Sequence, residues 1–189
     1  MPAFVVLNLF FKLDGDDDMA TVQEWIAEAE AVKAQMMAGG STQAGIITRE
    51  QMMQMSGLDI FKAMLAGKLP FAGVGKFIDF SLVSALHGEV IYQGSPPSGF
   101  LNPMGTVHGG WYGTLLDSAM GCAVHTTVAA GRGFTTAEYS VNIVRGAKVG
   151  GLYRTIGKVV HAGRQMATAE GRIVDADGKI YAHGTTTCF

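Results

Sequence analysis

From about His108 to Ala130 the sequence runs through one long helical segment too apolar to face water, and almost everything after it has the pattern of strand. Trp111, Leu115, Leu116, Met120 and Val124 supply the helix's apolar surface. Four strand candidates follow: "FTTAEYSVNIVR", "LYRTIGKVVHAG", "QMATAEGRIVD" and "IYAHGTTTCF". Their links are short, with Gly150 and Gly151, Gly163 and Arg164, and "DADGK" at Asp175 to Lys179, the last a strong hairpin signal. Tight links imply antiparallel pairing. A helix of this kind must bury its apolar side against the concave face of such a sheet, so the expected class is α+β, one long helix followed by an antiparallel meander.

Ahead of that helix, "GKFIDFSLVSALHGEVIYQG" alternates apolar residues around Ile78, Phe80 and Leu82 and again at Val90 and Tyr92, which predicts one or two strands with a solvated face. "GSPPSG", Gly94 to Gly99, is a loop. Before Pro70 the character differs. Thr21 to Met37 predicts a helix stopped by Gly39 and Gly40, and a second helical stretch runs from about Arg49 to Ala66, with a break at Gly57 and an end at "GKLP". The chain therefore divides into a mainly helical N-terminal extension over 1–70, a lid or preface, and a domain over 71–189. The opening apolar run, Phe4 to Phe11, falls far short of the roughly twenty residues of a membrane helix and lacks a basic leader and cleavage site, so neither a span nor a secretory signal is expected. "DGDDDM" is a solvated break rather than a calcium loop, since the closing glutamate is missing; Met19 is an alternative start.

Of the 189 residues, 48% are hydrophobic and only 16% charged, a surplus that points to surface hidden in an oligomer. A net charge of −2 without a Lys/Arg block gives no reason to bind nucleic acid. Cys122 and Cys188 match no metal or redox spacing, so a reduced, cytoplasmic chain is the expectation.

The residues that ask for a function lie in "NPMGTVHGGWYGTLLDSAMG", Asn102 to Gly121. Gly109 and Gly110, directly after His108, let the backbone at a helix start approach something closely. Asp117, set among Leu115, Leu116 and Ala119, is a carboxylate whose burial is costly unless something compensates it. Each has a plain structural alternative: His108 as a cap, the glycines as packing space, Asp117 satisfied by Ser118 or Thr114, and Asn102 before Pro103 as a turn residue. Together in one helix they point to a site.

This stretch, with "TTAEYSVNIVR" and "GKVVHAGRQMATAEGRIVDADGKIYAHGTTT", resembles the hotdog-fold acyl-CoA thioesterases of the phenylacetic-acid-degradation (PaaI-like) type. The resemblance covers roughly 73–189. It implies a helix wrapped by a curved antiparallel sheet, a homodimer pairing its sheets edge to edge, assembly into a dimer of dimers, and hydrolysis of an aromatic or medium-chain acyl-CoA. By matching positions, it implies that Asn102 and His108 shape the carbonyl pocket, that Gly109 offers its N–H to the thioester oxygen, that Asp117 drives the attack of water, and that Thr136 orients that water or the carboxylate. Thr135 stands beside Thr136, and most often such a threonine is simply a strand residue.

The chemistry agrees with those residue types. N–H groups at a helix start are unsatisfied and sit at the positive end of the dipole, where a carbonyl becoming an oxyanion is favoured. A carboxylate acts either as general base on water or as a nucleophile forming an anhydride. Gly109 and Asp117 are eight residues apart, which a helix converts to roughly 12 Å, too far for one thioester carbon to meet both. The expectation is an active site spanning a two-fold interface, with the Asp supplied by the neighbouring protomer. Arg145, Lys148, Arg154, Lys158 and Arg164 are candidates for coenzyme A phosphates, and Phe71, Phe77, Trp111 and Tyr112 for the acyl group, with solvated surface and core packing as their plain alternatives.

A hydratase on the same fold and a non-catalytic acyl-CoA sensor that signals through the N-terminal helices are the competing readings. There is no G-x-S-x-G elbow or Walker A loop, "GVGKFI" lacks the third glycine of a dinucleotide fingerprint, and the five histidines show no metal spacing. Neither a metal nor a redox cofactor is expected, coenzyme A entering only as part of the substrate.

Overall fold

Three hydroxyl side chains start the first three helices in the computed structural model, which describes residues 21–40 and 43–189. Thr21 Oγ accepts from the Glu24 N–H (3.2 Å) and Glu24 Oε2 accepts from the Thr21 N–H (2.6 Å), a reciprocal cap that opens α1 (Val22–Ala38). Thr48 and Gln51 repeat the arrangement for α2 (Arg49–Gln54). Ser56 accepts from the Asp59 N–H and opens α3 (Gly57–Leu65), so the expected break at Gly57 falls where a fresh cap begins. The Phe4 to Phe11 run and "DGDDDM" lie outside the described residues.

The region from Gly73 departs from the strand expectation. Val74–Ile78 forms a short helix, α4, closed by Asp79 in the left-handed region at φ 49°. Ile78 is still part of the core, and its carbonyl accepts from the Trp111 indole N–H at 3.1 Å. Strands β1 (Phe80–Leu86) and β2 (Glu89–Gly94) follow, turning at Gly88, where φ is 81°. The long helix α5 spans Gly109–His125 and ends before the expected Ala130. Thr126 and Thr127 turn their hydroxyls back onto the carbonyls of Ala123 and Val124 (2.6 and 2.7 Å), and the chain leaves the helix there.

"FTTAEYSVNIVR" divides into β3 (Thr136–Tyr139) and β4 (Asn142–Ile143), separated at Ser140, which bonds to Thr185. Strands β5 (Tyr153–Ala162), β6 (Ala167–Val174) and β7 (Ile180–Cys188) complete an antiparallel sheet in the order β1-β2-β5-β6-β7-β3, with β4 also on β7. The expected meander is therefore confined to β5-β6-β7. The Gly150–Gly151 link is no hairpin: it carries the chain from β4 at one edge to β5 in the middle, where β5 pairs with β2.

The sheet takes α5 on one face. Gly157, Gly171 and Gly184 lie in register across β5, β6 and β7. A Cβ on Gly157 would collide with the Ala119 carbonyl, and one on Gly171 would stand 2.7 Å from Met120 Cγ. The bare backbone thus lets the helix settle into the sheet, burying Trp111, Leu115, Leu116, Met120 and Val124.

The N-terminal helices pack on this same body. Phe61 of α3 joins Leu82, Ala85, Val90 and Ala123 in a second apolar cluster. Trp25 of α1 lies on the opposite face of the sheet, its carbonyl accepting from Gln93 Nε2 (3.2 Å) and its ring under the Arg154 guanidinium at 4.5 Å. Arg154, only 3% exposed, also donates to Gln93 Oε1 (2.9 Å) and pairs with Glu28 (2.6 Å). Its charge is spent inside the fold, which removes it from the candidates for a phosphate contact.

Gly157→Ala should lower the stability of the folded chain by about 1–3 kcal/mol through overpacking against α5. The check is the urea midpoint; an unshifted midpoint would mean that helix and sheet do not meet as closely as Ala119 and Gly157 do.

Candidate functional site

The start of α5 is built by a loop that Asn102 closes on itself. Asn102 Oδ1 accepts from the N–H groups of Met104 (3.0 Å) and Thr106 (3.2 Å), and its Nδ2 donates to Thr106 Oγ (2.7 Å). Gly105, at φ 78°, makes the turn. The Asn102 side chain is thus committed to the loop, and the loop delivers His108, whose N–H is held by the Phe100 carbonyl at 2.8 Å. His108 is the N-cap: its Nδ1 accepts from the Gly110 N–H at 2.9 Å, which places the neutral ring's proton on Nε2.

With Gly110 bound to His108 Nδ1 and the Trp111 N–H bound to the His108 carbonyl, the Gly109 N–H has no acceptor among the described residues. Gly109 is exposed, and the nearest atom to its missing side chain is Ile143 Cδ1 at 3.5 Å. An unpaired donor at the positive end of a 17-residue helix suits an oxygen that gains charge.

Asp117 lies two turns along α5, half-buried, and Thr136 Oγ of β3 donates to its Oδ1 at 3.1 Å. Of the two adjacent threonines only Thr136 reaches it; Thr135 is exposed and exchanges backbone bonds with Phe189. The remaining carboxylate oxygen, Oδ2, makes no hydrogen bond among the described residues. Gly109 and Asp117 share one helix, so within this chain the N–H and the carboxylate stand roughly 12 Å apart.

Other sequence candidates sit elsewhere. Trp111 is fully enclosed and bonded to Ile78, and Tyr112 is buried with its hydroxyl accepting from the Ala147 N–H at 2.7 Å, so both belong to the core rather than to an open acyl site. Arg145 is exposed, 5.6 Å above the Tyr181 ring. Lys148 and Lys158 are exposed, as is Phe77, while Phe71 is half-buried.

Three features escaped the sequence reading. Tyr139 (44% exposed), Ile143 (47%) and Val144 (59%) present apolar surface along the β3–β4 edge beside the start of α5, as the alternation in "AEYSVNIV" could have told. A cleft of about 200 Å³ opens at the other end of α5, with Val124, Phe134, Met166 and Cys188 in its wall and Arg132 and Arg164 beside them. The thiols are poor nucleophiles: burial pushes Cys122 up to about 11 and Cys188 above its ordinary range.

Residues 104–182 match the thioesterase superfamily. Among solved structures, a phenylacetic acid degradation-related protein from Ralstonia eutropha is 28% identical over 68% of this chain and 98% of its own, with a TM-score of 0.63. A Streptococcus mutans protein bound to acetyl-CoA is 29% identical over 60% of this chain and 89% of its own, with a TM-score of 0.55. The phenylacetic acid degradation protein PaaI from Thermus thermophilus, 24% identical over 61% of this chain and 96% of its own, shares the fold at a TM-score of 0.57. No curated protein matches the chain. The sheet wrapped on its central helix is the hotdog fold of these structures, and the match to the thioesterase superfamily falls within it. The chain is thus similar to thioester hydrolases of the PaaI-like type.

Burial between Phe61 and Phe134 pushes the His125 imidazole below its ordinary range. The neutral ring is then the folded form, and as pH falls through about 6.5 the unfolded chain takes up the proton first. Stability should be full above that pH and decline on acidification, read as the thermal midpoint between about pH 7.5 and pH 5, with His125→Gln flattening this part of the profile.

Proposed function

We propose that the protein is a homo-oligomeric, cytoplasmic acyl-CoA thioesterase acting on an aromatic or medium-chain acyl group, with each active site shared by two protomers. The observation that carries this reading is the separation of two complementary groups on one helix: an unpaired Gly109 N–H at its start and a Thr136-bonded Asp117 two turns on. Two α5 helices lying antiparallel across a two-fold axis bring the Gly109 of one protomer to the Asp117 of the other, twice over. The exposed apolar edge of β3 and β4, with Tyr139, Ile143 and Val144, is the surface such a pair would cover. The acetyl-CoA bound to the S. mutans relative supports an acyl-CoA substrate.

In this arrangement the thioester oxygen accepts from the Gly109 N–H and from His108, whose Nδ1 is occupied by Gly110 and whose Nε2 carries the proton. Asn102 holds the loop that sets both. Asp117 Oδ2 takes a proton from water as the water attacks the carbonyl carbon, while Thr136 keeps Oδ1 fixed. The tetrahedral intermediate then expels the coenzyme A thiolate and leaves the free acid. Gly110 allows the close approach and Arg145 offers a phosphate contact.

Asp117→Asn should lower kcat by about 10²- to 10⁴-fold with the oligomer intact. The measurement is thiol release from phenylacetyl-, benzoyl-, hexanoyl- and lauroyl-CoA, alongside the molecular mass in solution. A fully active Asp117→Asn enzyme would remove Asp117 from the chemistry, and saturable binding without turnover by the unaltered protein would favour a sensor.

A further inference from the structure

The cleft at the far end of α5 has walls that belong to different parts of the chain. One wall is the loop 126–134, which the N-terminal helices hold from behind. Gly57 at the start of α3 donates its N–H to the Val128 carbonyl (3.0 Å), and Gly131 donates to the Met52 carbonyl (3.3 Å). Gly57 lies so close to the His125 carbonyl that no side chain fits between them. Three rings then run outward: Phe61 of α3 meets His125 edge-on at 5.5 Å, His125 meets Phe134 at 5.1 Å, and Phe134 lines the cleft.

The cleft is next to the proposed reaction centre. Phe134 also faces Gly121, one turn after Asp117, its Cε2 3.6 Å from where a Cβ on that glycine would stand, and it precedes Thr136 by two residues. Cys188 in the cleft wall is the cross-strand partner of Thr136. Val124, Phe134 and Met166 supply the apolar part of a lining that also holds Thr127 and Gln165, and Arg132 Nη2 reaches the Arg164 carbonyl (3.2 Å) to tie its two sides together. Its volume of about 200 Å³ exceeds modestly the roughly 150 Å³ of a cavity that accepts benzene.

We propose that Phe61, His125 and Gly57 are positioning residues for an acyl-binding cleft: the N-terminal helices, acting through the Phe61–His125–Phe134 stack and the Gly57–Val128 bond, hold the wall that fits one aromatic ring of the acyl group. This rests on the thioesterase reading for what enters the cleft. The R. eutropha relative matches only 68% of this chain with nearly its whole length, so about a third of this chain is additional to it, and the wall support gives additional chain a role in substrate choice.

The test is binding, which does not depend on turnover. Non-hydrolysable thioether analogues of phenylacetyl-CoA and acetyl-CoA are titrated into the full-length protein and into Phe61→Ala, His125→Ala and Phe61→Tyr. The alanine variants should weaken the phenyl analogue by about fivefold or more relative to the acetyl analogue, the size of one lost ring contact, while Phe61→Tyr keeps the preference. His125→Ala carries the test if Phe61→Ala does not fold. Equal weakening of both analogues, or unchanged affinity for both in folded alanine variants, would overturn the proposal. A protein that shows the expected preference yet releases no thiol from any acyl-CoA would overturn the hydrolase reading and leave the cleft assignment standing.

Discussion

The depth to which α5 sinks into the sheet governs most of the structure. Gly157, Gly171 and Gly184 form a row without side chains across three adjacent strands; the Ala119 carbonyl and Met120 occupy the space at the first two, and the Ser140 carbonyl that at Gly184. Only at that depth can Trp111, Leu116 and Met120 be fully enclosed by a single curved sheet. The side of α5 that the sheet does not wrap is left with Gly109, Gly110 and Asp117, the residues with chemistry to offer. Burial and reactivity are thus two sides of one helix, and deep seating on one side defines what the other presents.

That side of the helix is also tied down by hydrogen bonds. The His108 cap and the Asn102 loop set where the helix begins, and Thr136 links Asp117 to the edge strand β3. A substrate carbonyl held between two copies of this helix would meet donors and a carboxylate already fixed by hydrogen bonds, so little reorganisation is needed when charge develops. The same edge strand carries the exposed apolar residues that the proposed second protomer would cover, and in that arrangement assembly of the site would follow assembly of the molecule.

Local signals made much of this legible in the sequence. Thr21 with Glu24 and Thr48 with Gln51 announce helix starts, Gly57 announces a break, and the turn residues between β5, β6 and β7 announce their pairing. What was not legible depends on distant partners. The adjacency of β2 and β5 and the place of β3 and β4 at the far edge are non-local choices that no short window contains. The Val74–Ile78 turn of helix has apolar residues that fit a strand equally well. Arg154 looked like a solvated cation because Glu28 and Trp25, which bury it, lie far away in the chain, and Trp111 looked available because the enclosure around it is built by the sheet. The Asp117–Thr136 pair was reached through a resemblance, and the chain's own pattern would have left Thr136 an ordinary strand residue.

The 126-residue separation between Glu28 and Arg154 also orders events in time. A ribosome makes the Trp25 and Glu28 face of α1 among the first described segments and the strand that receives it among the last. Contacts of α1 with α3 and β1 can form early, but until β5 has emerged and paired with β2 the Trp25 ring lacks the Arg154 guanidinium and Glu28 lacks its ion-pair partner, so the docking of this early helix is completed late. In the interval the nascent chain exposes an aromatic, carboxylate-bearing helix, and closure of that helix over the outer face marks the point at which the sheet beneath it has been assembled.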